Sequence, residues 1–131
     1  MNSIDTILKY IHESNDFVVT SHVNPDGDNI GSTLSIYYFL KKMNKNVYYV
    51  MNFLVKDINI INSQKFKELN IKNYNLVALD CGDKNRICVD DDIRDNCIKL
   101  INIDHHGSND FYGDLNYVLA EESSTCELVY N

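Results

Sequence analysis

Residues 76–80 have the sequence LVALD, in which four apolar residues lead directly into an aspartate. A short apolar run of this kind is typical of a strand that is buried on both faces, as in a parallel sheet. Two other runs have the same form: FVVT at 17–20 leads to His22, and KLINI at 99–103 leads to Asp104. We therefore predict buried strands at these three places, each followed by polar residues where the chain leaves the sheet.

Segments with apolar residues at helical intervals lie between these strands. They predict helices at 3–15, with Ser3 as the N-cap, and at 29–43. Residues 47–51 predict a further strand, and residues 64–69 indicate a short helix within an ambiguous stretch. Strands that alternate with helices predict an α/β fold, a parallel β-sheet with helices on both faces.

Candidate metal ligands collect at the predicted carboxyl ends of the buried strands. They are His22, Asp26 and Asp28 after the first strand, Asp80 after the second, and Asp104, His105 and His106 after the third. In an open parallel sheet, ligands bind in the crevice outside the carboxyl ends of the strands. If the three strands are neighbours, all of these side chains converge there, and the active site lies at that edge.

The mixture of carboxylates and imidazoles suits Mn²⁺, with Mg²⁺ or another divalent ion as the alternative. Aspartates gathered in one crevice would repel one another unless cations were bound between them. Two divalent ions about 3.5–4 Å apart would neutralise that charge, activate a water molecule and hold the oxygens of a phosphate ester. The array therefore predicts metal-assisted phosphoester hydrolysis.

Each group has a simpler interpretation when it is taken alone. The segment 25–28, PDGD, suits a turn, Asp80 suits a strand end, and an Asp-His-His triplet is common by chance. Their joint occurrence, each at the end of a predicted strand, favours the metal site. The acidic run at 90–92 is more typical of a solvated helix start than of a metal site.

Composition excludes several classes of protein. A length of 131 residues predicts one domain, and a net charge of −7 argues against binding of long duplex nucleic acid. The 4 cysteines have irregular spacings, which predicts free thiols instead of disulfides or a zinc site. No apolar run approaches the roughly 20 residues of a membrane span, and the N-terminus lacks the features of a secretory signal, so we expect a cytoplasmic protein without a membrane segment.

The order and spacing of these groups resemble the motifs of the DHH phosphoesterases. Residues 22–32, HVNPDGDNIGS, are similar to the first motif, Asp80 with Arg86 to the second, and the DHH sequence at 104–106 to the third. Residues 122–127, ESSTCE, resemble a segment of the nanoRNase type, the bifunctional oligoribonucleases and phosphoadenosine phosphate phosphatases. The resemblance implies a DHH N-terminal catalytic domain over the whole chain, 1–131.

The resemblance also implies a role for each residue. One metal ion is assigned to His22, Asp26 and Asp80, and a second to Asp28, Asp80 and His105, so that Asp80 bridges the pair.

Three other residues receive roles beside the metal ligands. His106 is expected to contact the scissile phosphate or assist the leaving group, and Asp104 to hold an imidazole in the ligating tautomer. Arg86 either binds a phosphate or braces its own loop, and we favour the brace.

The function implied by the resemblance is hydrolysis of phosphoester bonds in short oligoribonucleotides or in nucleotides such as phosphoadenosine phosphate. The alternatives are a cyclic-dinucleotide phosphodiesterase, a single-strand exonuclease, a family II pyrophosphatase or a non-catalytic metal- or nucleotide-binding module. A capping box at 124–127 predicts a last helix that stops without a C-terminal signal. We therefore expect a truncated chain, without the family's fourth motif and C-terminal substrate-binding domain and with little activity of its own. A homodimer is left open.

Overall fold

The computed structural model describes residues 2–22, 27–52, 60–105 and 108–118, with the side chains of residues 27–30 outside the description. The helices are α1 (Ile4–Glu13), α2 (Gly27–Lys42), α3 (Ser63–Glu68) and α4 (Asp91–Asp95), and a single 3₁₀ turn spans Lys84–Arg86. The strands are β1 (Asp16–Thr20), β2 (Asn46–Val50), β3 (Ile60–Ile61), β4 (Asn75–Leu79), β5 (Leu100–Asp104) and β6 (Leu115–Val118).

The strands form one sheet in the order β3-β2-β1-β4-β5-β6, and every pair is parallel. From β1 the chain moves outward to β2 and β3, and it then returns to place β4 on the other side of β1. Such a reversal creates a crevice at the carboxyl ends of the two central strands, which is where ligands bind in this class of sheet.

Helices cover both faces of the sheet, as predicted. Ile7 of α1 and Leu40 of α2 pack in one core cluster with Phe17 of β1. Phe66 of α3 packs in the other cluster with Val18, the next residue of β1. Because successive side chains of a strand point to opposite faces, both faces of β1 are buried, and this explains its continuous apolar sequence.

Local capping explains where two of the helices begin. The Ser3 hydroxyl oxygen accepts a hydrogen bond from the backbone N–H of Thr6 at 3.1 Å, as expected for the predicted N-cap of α1. The Asn62 side chain caps α3 in the same way by accepting from Lys65 N at 2.8 Å. The acidic run at 90–92 opens α4, in agreement with its interpretation as a helix start.

The sequence did not predict the two edge strands, β3 and β6. β3 has only 2 residues, which is too short to form a pattern. β6 follows Gly113, where an added Cβ would lie 2.8 Å from both Leu100 O and Leu115 O. A glycine is therefore required where the chain approaches β5 before it enters β6.

Two other predictions can be compared with the described residues. Cys81, Cys88 and Cys97 are free thiols, as expected, while Cys126 lies outside the description. In the part of the chain that the structure covers, no helix has both the length and the apolar character needed to cross a bilayer. The predicted helix at 124–131 also lies outside the described residues.

Candidate metal centre

Hydrogen bonds fix the point at which the chain leaves β1. The Ser21 hydroxyl donates to Leu79 O at 2.6 Å, and Cys88 N donates to Ser21 O at 2.8 Å. His22 then forms an isolated antiparallel bridge with Ile87. These contacts hold His22 beside the carboxyl end of β4 and beside the loop that follows it.

A cleft of about 610 Å³ opens at this place, and we refer to it as the switch-point cleft. Its lining includes His22, Asp80, Cys81, Gly82, Asp83, Asn85, Arg86, Ser108 and Asp110. Asp83 organises the loop on one side, because its carboxylate accepts a hydrogen bond from Asn85 N at 2.9 Å. The cleft therefore lies at the topological reversal of the sheet, where the sequence predicted the site.

Asp80 turns the chain sharply at the end of β4. Its φ is 54°, in the left-handed region, and its backbone N–H donates to Ile103 O at 3.0 Å. This conformation costs a non-glycine residue about 1–2 kcal/mol, although aspartate tolerates it better than most. Strain of this kind is found preferentially at functional sites, where the surrounding structure maintains it.

Two buried carboxylates and one imidazole meet beside this turn. A carboxylate oxygen of Asp80, a carboxylate oxygen of Asp104 and a ring nitrogen of His105 all lie within 4.8 Å of one another. Asp80 is 3% exposed and Asp104 is fully buried, while His105 Nε2 lies 2.9 Å from Asp80 Oδ1. Buried carboxylates are costly unless they are paired or bind a cation, so this donor set fits a divalent metal ion.

The structure accounts for the predicted site residues to different extents. Asp80, Asp104 and His105 come together, and Asp80 also lines the switch-point cleft with His22 and Arg86. The Arg86 side chain is exposed at the cleft wall. The sequence assigns Asp104 to holding an imidazole in the ligating tautomer, and the structure places one of its carboxylate oxygens within 4.8 Å of the ligand atoms of Asp80 and His105.

Three predicted residues remain without a structural account. Asp26 and His106 lie outside the described residues, and Asp28 is described only as backbone in the first turn of α2. The roles assigned to these residues, and to the other predicted site residues, stay predictions.

Sequence reasoning missed the amide side chains that surround Asp104. Asn109 Nδ2 donates to Asp104 Oδ2 at 2.9 Å, and Asn102 Nδ2 donates to Asn109 Oδ1 at 2.8 Å and to Asn116 Oδ1 at 2.9 Å. One signal was present, because Asn102 is a polar residue inside an apolar strand sequence. A buried amide of this kind requires polar partners.

The thiol next to Asp80 is buried. Cys81 is fully buried, and burial raises its pKa to about 11, since the thiolate would lose its hydration. Tyr112 donates its hydroxyl hydrogen to Cys81 O at 2.7 Å, and burial raises the pKa of that phenol as well. Cys81 is thus a buried free thiol, as the sequence predicted, and its raised pKa favours the protonated form at neutral pH.

Residues 16–131 match the sequence pattern described as the DHH family, N-terminal domain. The chain belongs to the DHH family. The bifunctional oligoribonuclease and PAP phosphatase NrnA of Thermus thermophilus is 35% identical over 117 residues, which cover 85% of this chain and 34% of that protein. The protein of the same name in Bacillus subtilis is 27% identical over 133 residues, which cover 95% of this chain and 40% of that protein.

The fold of this DHH domain is also similar to a solved structure. An exopolyphosphatase-related protein from Bacteroides fragilis superimposes with a TM-score of 0.78 at 28% identity, covering 97% of this chain and 41% of that one. The predicted resemblance to the DHH family is therefore confirmed, as is the α/β fold. The chain spans between 34% and 42% of the length of the curated relatives that it matches.

Proposed function

We propose that this DHH domain is the metal-binding part of a phosphoesterase that acts on short oligoribonucleotides or on nucleotides such as phosphoadenosine phosphate. The observation that carries the proposal is the grouping of Asp80, Asp104 and His105 at the switch point of a parallel sheet. The names of the relatives in Thermus thermophilus and Bacillus subtilis, which state oligoribonuclease and PAP phosphatase activities, support this choice of substrate class.

The residues that would hold the metal are Asp80, Asp104 and His105, with His22 on the same cleft. A pair of divalent ions supplies an activated water nucleophile and stabilises the charge of the phosphoryl oxygens when it is bound. We propose Mn²⁺ from the mixture of oxygen and nitrogen donors, with Mg²⁺ as the alternative. The protein contributes carboxylates held in fixed positions, one by the turn at Asp80 and the other by its burial in β5.

The dimensions of the cleft support a small substrate. A volume of about 610 Å³ lies in the middle of the range of roughly 300–1,000 Å³ that is usual for small-molecule sites. A net charge of −7 opposes electrostatic attraction of long nucleic acid and agrees with recognition through bound cations. Arg86, exposed on the cleft wall, would either contact a phosphate or brace the loop. The cytoplasmic location and a homodimer stay predictions.

Hydrolysis assays with defined substrates test this proposal. The intact protein is incubated with Mn²⁺ and, in separate reactions, a diribonucleotide, phosphoadenosine phosphate, a cyclic dinucleotide or pyrophosphate. We expect phosphate-ester hydrolysis of the first two, complete loss in EDTA, and complete loss in Asp80→Ala, because Asp80 would contact both ions. Asp91→Ala is the matched control, since Asp91 lies exposed on α4, away from the cleft lining.

Each contrary result has a distinct meaning. Activity of Asp80→Ala near that of the control would refute the bridging role. Hydrolysis of the cyclic dinucleotide or of pyrophosphate alone would select one of those alternatives. Metal binding without turnover of any substrate by the intact protein would favour the non-catalytic module.

A further inference from the structure

The Asn109 side chain contacts both chain segments that carry the carboxylates of the metal centre. Its Nδ2 donates to Asp104 Oδ2 at 2.9 Å and to Cys81 O at 3.4 Å. Cys81 is the residue directly after Asp80, so the longer second contact reaches the backbone of the turn. Because Nδ2 carries two hydrogens and also donates to Asn102 Oδ1 at 3.1 Å, one of its hydrogens is shared between two acceptors. One buried amide therefore connects the end of β4 to the end of β5.

The orientation of this amide follows from an unambiguous donor. Phe111 N, a backbone N–H that can only donate, lies 2.8 Å from Asn109 Oδ1. The opposite atom, which faces Asp104 and Cys81 O, must therefore be the NH₂ group, although oxygen and nitrogen of an amide are similar in size. The Asp104 carboxylate thus receives a true hydrogen bond from Asn109.

Neighbouring amides hold Asn109 in place. Asn102 and Asn109 exchange two hydrogen bonds, of 2.8 Å and 3.1 Å, and the exposed fractions of these side chains are 0% and 6%. Asn116 completes the cluster by accepting from Asn102 and by donating its own Nδ2 hydrogen to Gly113 O at 2.8 Å. The orientation of Asn109 is therefore set by strands β5 and β6, independently of any bound ligand.

We infer that Asn109 is a positioning residue of the metal centre, which fixes the Asp104 carboxylate and its spacing from Asp80. This inference rests on the proposed function, because it concerns the same centre. Asn109 acts through Asp104, and it is not among the residues that line the switch-point cleft. Residues that orient metal ligands typically contribute a factor of about 10–100 to metal affinity.

Two isosteric substitutions separate positioning from general packing. Asn109→Asp keeps the shape but replaces the NH₂ donor by an oxygen that repels Asp104. Asn116→Asp introduces the same buried charge into the same cluster, where the lost donor faces Gly113 O instead of Asp104. Asn109→Ala removes the donor without adding a charge, and it supplies the comparison if Asn109→Asp does not fold without metal.

Mn²⁺ affinity of the whole chain is the readout, measured from the decrease of the free Mn²⁺ electron paramagnetic resonance signal. We expect both Asn109 variants to bind about 10–100-fold more weakly than the wild type, and Asn116→Asp to stay within about threefold. Unfolding midpoints in EDTA, measured in parallel, report how much each substitution disturbs the fold.

Two results would overturn the inference. One is wild-type affinity in both Asn109 variants, and the other is an equal loss of affinity in Asn109→Asp and Asn116→Asp, which would indicate packing alone. Failure of the wild-type chain to bind Mn²⁺ would instead count against the metal centre itself, so that the two failures can be distinguished.

Discussion

Asp80→Asn is expected to stabilise the metal-free protein while it removes the metal response. The substitution keeps the size of the side chain, and asparagine tolerates the left-handed φ of 54° about as well as aspartate does. Backbone strain is therefore unchanged. What changes is the charge of a residue that is only 3% exposed and lies beside the fully buried Asp104.

The magnitude follows from the distance between the two carboxylates. Their ligand oxygens lie within 4.8 Å of each other, so two full charges repel by about 3.5 kcal/mol or more at an effective dielectric constant of about 20. His105 Nε2, at 2.9 Å from Asp80 Oδ1, offsets part of this repulsion. We expect a net gain of about 1–3 kcal/mol in the free energy of unfolding. For a chain of 131 residues this corresponds to a rise in Tm of roughly 4–12 °C.

Thermal unfolding followed by circular dichroism, in EDTA and in excess Mn²⁺, measures both halves of the prediction. In EDTA the variant should melt above the wild type, whereas added Mn²⁺ should raise the Tm of the wild type and leave that of the variant nearly unchanged. Asp110→Asn is the control, because it removes an exposed carboxylate from the cleft lining and should change stability by less than about 0.5 kcal/mol. A variant that melts at or below the wild type in EDTA would refute the reasoning from charge repulsion.

Two further predictions concern the thiol beside Asp80 and the helical face of the core. With its pKa raised to about 11, Cys81 should resist alkylation by iodoacetamide below about pH 9 in the native state and react after denaturation, as residue-level mass spectrometry would show. The contribution of the protonated Cys81 thiol to the free energy of unfolding is present below the ordinary thiol pKa and is lost as the pH rises through 11. Cys81→Ser should keep activity within a few-fold. Rapid native alkylation at pH 7 would contradict this. Leu40→Ala should lower the free energy of unfolding by about 2–5 kcal/mol in urea titrations, because Leu40 is fully buried against the sheet. Phe39→Ala, at a position that is 42% exposed, should lower the free energy of unfolding much less. Equal losses in the two variants would mean that the faces of α2 are misassigned.

The central strands of the sheet could be predicted because strands that are buried on both faces have mostly apolar sequences. The strand sequence at 76–79 is apolar throughout and that at 17–20 is apolar except for Thr20, and the structure buries both faces of β1 and β4. The edge strands have a weaker sequence pattern, since β6 alternates between buried and half-buried residues over 4 positions. A short alternating run of this kind cannot be distinguished from loop sequence without knowledge of its neighbour, β5.

The gathering of candidate ligands at one edge could be predicted for a different reason, which is that sheet topology restricts where ligands bind. His22, Asp80 and His105 follow the ends of β1, β4 and β5, and adjacent parallel strands present those ends at one edge. The support of Asp104 could not be predicted in this way. Asn109 lies in the loop between β5 and β6, and its partners become evident only when the tertiary contacts are known.

Strand register connects the fold to the candidate site, because it decides which side chains are placed opposite one another. Thr20 pairs with Ala78, and Leu79 pairs with Ile103. Continuing the second register by one residue places Asp80 level with Asp104, while His22 lies beside the same edge through its bridge to Ile87. Adjacent strands are about 4.8 Å apart, so residues that are level across them are close enough for their side chains to share a cation. A shift of one residue would send a side chain to the opposite face of the sheet, so the buried apolar residues that fix the register also determine the geometry of the candidate metal centre.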